Sequence, residues 1–194
     1  RYGDFLDISA ALVGRVPFAG LHTDQGRKAS LVMDFSAISR ELLDQESAWP
    51  AMGALLGDIA GSRVVAMTGL HGDLADGGLT EDRLKSLGAT AASSGGVGLF
   101  HIIGVTPEAP NLEAVVQANC ETMKVTTEQL RASRDRLTTA VGDELDAVSL
   151  GTPHFSLPEF EALAKELKSG EKFADSIDFY VSTSRGVLGR AEEM

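Results

Sequence analysis

Thiol chemistry is almost missing from these 194 residues, which hold a single cysteine, Cys120. A lone thiol excludes an intrachain disulfide framework and, by itself, any site built from several thiolates; it makes a reducing cytoplasm the expected compartment. Basic charge is short as well: 17 Lys and Arg stand against 28 Asp and Glu, a formal net charge of −11. A surface of that sign repels phosphate backbones, so no nucleic-acid partner is expected. Long apolar runs are also lacking. The stretch Leu99 to Val105 is broken by His101 and Gly104, and such runs fall far short of the ~20 residues of a membrane helix, so no membrane partner is expected. The opening residues show no basic-then-apolar leader pattern. Internal repeats and low-complexity tracts are absent too.

What is present is ordinary for a globular protein, with 43% hydrophobic and 23% charged residues. The length suits one large domain or two small ones and allows roughly 70% of the unfolded surface to be buried. Short β-branched or aromatic stretches at Ala29–Phe35, Arg63–Met67, Val97–Ile103, Asp146–Leu150 and Ile177–Val181 predict buried strands. Helical patterns alternate with them: one from Thr80 with Leu84 and Leu87 on one face, one over Thr127–Val141, and one over Leu157–Lys168. The third opens on Ser156-Leu157-Pro158-Glu159, a capping box with proline in the first turn. The alternation predicts an α/β fold with a largely parallel sheet and flanking helices. Residues 69–78, rich in Gly and Asp, predict a surface loop. The chain begins on Arg1 and runs out on Arg190-Ala191-Glu192-Glu193-Met194 as a helical pattern without a cap. Residues 1–194 are therefore expected to be an interior part of a longer protein.

In parallel α/β folds ligands bind beyond the carboxyl ends of the strands, so loops that follow strands carry the search for chemistry. Four segments there, or at turns, hold polar residues that a core does not require. They are Arg1-Tyr2-Gly3-Asp4 with Asp7 and Gly14-Arg15-Val16-Pro17; Gly104-Val105-Thr106-Pro107-Glu108-Ala109-Pro110; Gly151-Thr152-Pro153-His154-Phe155-Ser156; and Ser182-Thr183-Ser184-Arg185-Gly186. Each also has a structural reading. His154 fits a plain βα turn, Glu108 fits a cap on a following helix, and the Ser182–Ser184 hydroxyls fit a cap on the last helix with Arg185 on the surface. The last segment equally fits a carboxylate site, since a helix start and a guanidinium fork both favour an anion. Other positions carry less. Gly95-Gly96-Val97-Gly98 precedes a strand and so is no dinucleotide fingerprint. His22 and His71 have no partner at metal-ligand spacing, His101 reads as a core histidine, and Cys120 as a buried or incidental thiol.

Taken in order, the four segments resemble one family. Arg-Tyr-Gly-Asp-Phe-Leu-Asp with Gly-Arg-Val-Pro-Phe-Ala-Gly-Leu-His is similar to the early block of the aconitase X catalytic subunit. Leu-Phe-His-Ile-Ile-Gly-Val-Thr-Pro-Glu-Ala is similar to its middle block, and Leu-Gly-Thr-Pro-His-Phe-Ser and Thr-Ser-Arg-Gly-Val to two later ones. The resemblance runs from Arg1 to about Arg185. It implies an aconitase-like catalytic region of a hydro-lyase (dehydratase) that uses iron or an iron–sulfur cluster in the full-length enzyme. It also implies a swivel domain or small subunit as partner, outside this chain. The phosphomevalonate branch carries Cys where this chain has Thr152. A hydroxyl does not replace a thiolate as a soft iron ligand, so the metal ligands are unknown from this chain, and the Thr form looks like the cis-3-hydroxy-L-proline branch.

The expectation is therefore an enzyme that removes water from a small-molecule hydroxy acid, cis-3-hydroxy-L-proline, to give 1-pyrroline-2-carboxylate. A phosphomevalonate dehydratase-like activity and a non-catalytic α/β binding or assembly module are the alternatives. Such chemistry needs a base, an acid for the departing hydroxyl and a clamp for the carboxylate. By motif position Arg185, Ser182 and Ser184 form the clamp. His154 and Glu108 move protons or orient a metal-bound group, and Asp4, Tyr2 and Arg15 line or brace the pocket. The isolated piece is expected to be inactive.

Overall fold

The computed structural model describes residues 4–70, 79–152, 154–167, 174 and 176–193, with only the backbone of Asp4. The chain divides into two compact units, residues 1–139 and 140–194. The first holds α1 (Asp4–Val13), β1 (Ala29–Asp34), α2 (Arg40–Leu43), α3 (Ala48–Ala60), β2 (Val65–Thr68), α4 (Glu81–Ser94), β3 (Phe100–Ile102), β4 (Val116–Lys124) and α5 (Thr127–Arg136). Its four strands are all parallel, in the order β3-β2-β1-β4. The second unit is a βαβα run of β5 (Ala147–Leu150), α6 (Leu157–Leu167), β6 (Asp178–Val181) and α7 (Arg185–Glu192), with β5 and β6 parallel. The expected α/β class with a parallel sheet and flanking helices holds in both. Among the described residues no helix is long and apolar enough to cross a membrane.

Alternation along the central strands builds two apolar layers in the first unit. Leu31, Met33, Val65 and Met67 face α3, α4 and α5, where Met52, Leu56, Leu87 and Leu130 close the core. Val32 and Ala66 point to the other face and are covered by the connection over residues 103–115, through Ala109 and Val115. The period of two in a strand makes this division unavoidable once both faces are buried. His101 faces the second layer at 2% exposure, its Nε2 2.8 Å from the Arg27 carbonyl, the satisfied core histidine the sequence predicts.

Four elements escape the sequence patterns, the short helix α2 among them. Helix α3 is buried on nearly every side, so it shows no amphipathic stripe. Its Gly53 sits where a Cβ would come 2.3 Å from the Leu87 carbonyl, and that closeness lets α3 and α4 pack backbone against backbone. Strand β4 reads as polar because it is an edge strand paired only with β1. The opening segment, expected as a turn, is the helix α1, which ends where Gly14 takes a positive φ of 66° and donates to the Ala10 carbonyl. Helix α5 also stops short of the expected Val141. Leu137 and Val141 are exposed, so continuing the helix would bury nothing.

Helix starts follow the local chemistry. Thr80 caps α4 by accepting from the Arg83 amide, and Ser156 and Glu159 form the expected reciprocal box at α6. A second box opens α5: Thr126 accepts from the Gln129 amide at 3.2 Å and Gln129 accepts from the Thr126 amide at 2.9 Å. Thr126→Ala is expected to lower stability by about 1 kcal/mol, read as a lower urea midpoint at unchanged slope. An unmoved midpoint would show that the box adds nothing to α5.

Candidate functional site

The second unit brings two of the expected segments together. Both follow strands, and β5 and β6 are neighbours with Leu150 opposite Val181, so both loops leave the same carboxyl edge. The loops are then tied to one another: the Phe155 amide donates to the Ser182 carbonyl at 2.8 Å, and the Thr183 hydroxyl donates to the Phe155 carbonyl at 2.7 Å. Gly151 makes the turn possible. Its φ is +84°, and a Cβ there would meet the Ser182 carbonyl oxygen at 2.2 Å. Phe155 packs edge-on against Phe160 at 5.0 Å, anchoring the turn on α6.

This lock sets the turn that carries Thr152 and His154 beside the segment Ser182–Arg185. His154, Ser182, Ser184 and Arg185 are all exposed. Ser184 caps α7 by accepting from the Val187 amide at 3.2 Å, a role that uses the oxygen and not the hydroxyl hydrogen, so the hydroxyl retains its capacity to donate. Arg185 is the first residue of α7 and carries a guanidinium at that helix start. A planar fork, two serine hydroxyls and an imidazole on one edge make an arrangement that suits a small carboxylate.

In the first unit Glu108 has a different setting from the helix cap the sequence allowed. No helix follows it; the chain runs into β4. Glu108 instead lies over the back of the sheet and grips Arg27 with both oxygens: Arg27 Nε donates to Oε2 at 2.7 Å and Nη2 donates to Oε1. The Arg27 fork, helped by His101, holds the Glu108 carboxyl below the ordinary carboxylate range, against the opposing effect of burial. The pair therefore stabilises the fold above that range, and its contribution is lost as pH falls through the lowered value. A cavity of about 230 Å³ lies beside it, lined by Asp24, Lys28, His101 and Glu108 among others.

The carboxyl edge of the four-stranded sheet holds a row that the sequence reading missed. Register sets Asp34 opposite Thr68 on one side and Lys124 on the other. The Ser36 amide donates to Asp34 Oδ1 at 2.9 Å, and the Thr68 hydroxyl reaches the same oxygen at 3.5 Å. The Ser36 backbone and side chain, then the Lys124 charge and Thr68, lower the Asp34 pKa against partial burial. The available signal was that Asp34, Thr68 and Lys124 each end a strand. The sequence hides the row, because β4 carries no strand pattern and Asp34 sits inside an apolar run.

Of the remaining expected residues, Arg15 is exposed just after α1. Asp4 opens α1, and its side chain lies outside the described residues, as do Tyr2 and His71. The donor set does not fit an iron–sulfur cluster. Cys120 lies on β4 with its thiol pushed up by burial and by the Glu121 charge, and the residue after Gly151 is a threonine. Among the described residues no three His, Cys, Asp or Glu side chains group as a metal site.

Comparison with known proteins extends these observations. A family model described as the aconitase X second domain matches residues 29–135. The cis-3-hydroxy-L-proline dehydratase of Pseudomonas aeruginosa is 36% identical over 194 residues, covering 99% of this chain and 32% of that protein. The phosphomevalonate dehydratase large subunit of Methanothermobacter thermautotrophicus is 34% identical, over 96% of this chain and 43% of its own. The crystal structure of holo-form aconitase X from Thermococcus kodakaraensis superposes with a TM-score of 0.81 at 28% identity, across 100% of this chain and 46% of that one. The chain thus spans about a third of the length of its Pseudomonas relative.

Proposed function

The chain belongs to the aconitase X family, and from that premise we propose that it is part of the catalytic region of a hydro-lyase acting on cis-3-hydroxy-L-proline. The observation that carries the reading is the tie between the loops after β5 and β6, which sets His154, Ser182, Ser184 and Arg185 on one edge. Greater identity to a cis-3-hydroxy-L-proline dehydratase than to a phosphomevalonate dehydratase favours the hydroxyproline substrate. Thr152 and the acidic surface favour it too, since a phosphorylated substrate calls for more basic loops.

Dehydration takes the proton from the carbon that bears the carboxylate. The electron pair closes a double bond to the next carbon, and the hydroxyl there leaves as water once it has gained a proton. The resulting enamine tautomerises to 1-pyrroline-2-carboxylate. In this reading Arg185 holds the substrate carboxylate through two parallel N–H bonds, with the Ser182 and Ser184 hydroxyls completing the clamp. His154, an exposed imidazole on this edge, is the side chain proposed to move a proton. Glu108, held ionised by Arg27, serves as an orienting acceptor rather than a proton donor. Asp4, Tyr2 and Arg15 are proposed as bracing residues on motif position alone. The swivel domain or small subunit, and the ligands of an iron or iron–sulfur centre, are assigned to residues outside these 194; a cytoplasmic setting suits such a centre.

The test is incubation of the iron-loaded full-length protein with cis-3-hydroxy-L-proline, followed by mass spectrometry for loss of one water. Formation of 1-pyrroline-2-carboxylate is expected. Turnover of a phosphorylated hydroxy acid in its place would move the protein to the phosphomevalonate branch. No turnover of either would leave a non-catalytic α/β module.

A further inference from the structure

The contacts that hold Arg27 against Glu108 are more elaborate than a surface ion pair requires. Arg27 is fixed at three points. Its carbonyl accepts from His101, a ring 2% exposed, and because a carbonyl only accepts, Nε2 is the protonated nitrogen. Its Nη1 donates to the Leu21 carbonyl at 3.0 Å. Its Nε and Nη2 take one Glu108 oxygen each, and this removes the rotation that a single contact would leave. Glu108 itself stays half exposed, on the side of the 230 Å³ cavity. The charged and titratable groups around it are Arg27 and His101, which act on its carboxylate, and Lys28 and Asp24, which line the same cavity.

We propose that Arg27 is a positioning residue for the dehydration, holding the Glu108 carboxylate in one orientation over this cavity while the buried His101 seats the Arg27 backbone. The inference rests on the role given to Glu108 above. Arg27 touches no reacting atom; it acts through Glu108, and its backbone is in turn held by His101. Lysine at this position keeps the charge but has no planar fork to hold two oxygens at once. Charge and orientation can therefore be separated by experiment.

The experiment uses the full-length protein with Arg27→Gln, Arg27→Lys, Glu108→Gln and the double variant Arg27→Gln/Glu108→Gln, each checked by thermal melting. Turnover is followed on whichever hydroxy acid the wild type consumes. In Arg27→Gln, kcat is expected to fall about tenfold or more with KM changed by less than about threefold, because orientation rather than binding is lost. The acid limb of the pH profile should move upward as Glu108 returns to the ordinary carboxylate range. Arg27→Lys should bring the acid limb back while kcat stays low. The double variant should cost no more than Glu108→Gln alone, and this comparison holds even if the single Arg27 variant is less stable.

Independent losses that multiply in the double variant would overturn the proposal, as would a kcat in Arg27→Gln within about twofold of wild type. A titration of the Glu108 carboxyl carbon by NMR separates this inference from the reading it rests on. An unmoved titration in Arg27→Gln overturns the clamp whatever the activity. A shifted titration with no hydroxyproline turnover in the wild type overturns the substrate assignment and upholds the clamp.

Discussion

Gly151→Ala is expected to separate the loops after β5 and β6 and to remove most of the turnover of the full-length enzyme. Two costs combine at this position. A φ of +84° strains any residue with a Cβ, by roughly 1–2 kcal/mol for the left-handed region. The added carbon would also lie 2.2 Å from the Ser182 carbonyl oxygen and 2.8 Å from the Phe155 backbone nitrogen, the acceptor and donor of the tie itself. Backbone has to move, and the Phe155–Ser182 hydrogen bond, worth about 0.5–1.5 kcal/mol, is the contact that yields. Together these amount to ~2–3 kcal/mol of local opening, which should speed amide exchange at Phe155 and Ser182 roughly thirtyfold or more. The second unit has no fully buried described residue to resist such opening. Exchange unchanged at both amides would mean that the turn tolerates a side chain and that the tie does not depend on Gly151.

Arg185→Lys should lower kcat/KM by about 2 kcal/mol or more, because a hydrogen bond to a charged group is worth ~1.5–3 kcal/mol and lysine offers one contact where the guanidinium offers two. Stability should shift by only about 0.5 kcal/mol, the usual range for an exposed position. Arg185 is exposed at the first position of α7, and the cap belongs to Ser184, so the helix start survives the exchange. Steady-state kinetics on cis-3-hydroxy-L-proline and a thermal melt, run on the same preparation, decide the matter. Near-normal turnover with normal substrate affinity removes Arg185 from the clamp. A variant that loses its fold makes Arg185 a structural residue instead.

The α/β class and five of the six strands among the described residues were legible in the residues alone, because short β-branched or aromatic runs flanked by turn signals mark strands. Strands β1, β2 and β3 are buried as expected, whereas β5 and β6 alternate between exposed and half-buried positions and are not. The cap at Ser156 was legible for the same kind of reason: its two hydrogen bonds span three residues and need nothing distant. The Gly151–Ser156 and Ser182–Gly186 segments, as candidates for chemistry, were legible as polar loops after strands. Helix α3 and strand β4 were not. One is apolar all round and the other sits at a sheet edge, so neither carries the periodicity that half-burial imposes.

What only the tertiary structure decided is which residues meet. Arg27 and Glu108 are 81 positions apart, and no local pattern marks Arg27, since the need for a guanidinium there arises only when residues 103–115 fold back across the sheet. Asp34, Thr68 and Lys124 become a row through parallel register, which joins residues tens of positions apart. Gly151 reads in sequence as any turn glycine, and its necessity appears only when the Ser182 carbonyl occupies the space a Cβ would take. The sequence by itself determined the class of fold, the local caps and the loops worth searching, because these depend on residues within a few positions of one another. The partners of each charged group depend on contacts between distant segments, and those exist only once the sheet is assembled.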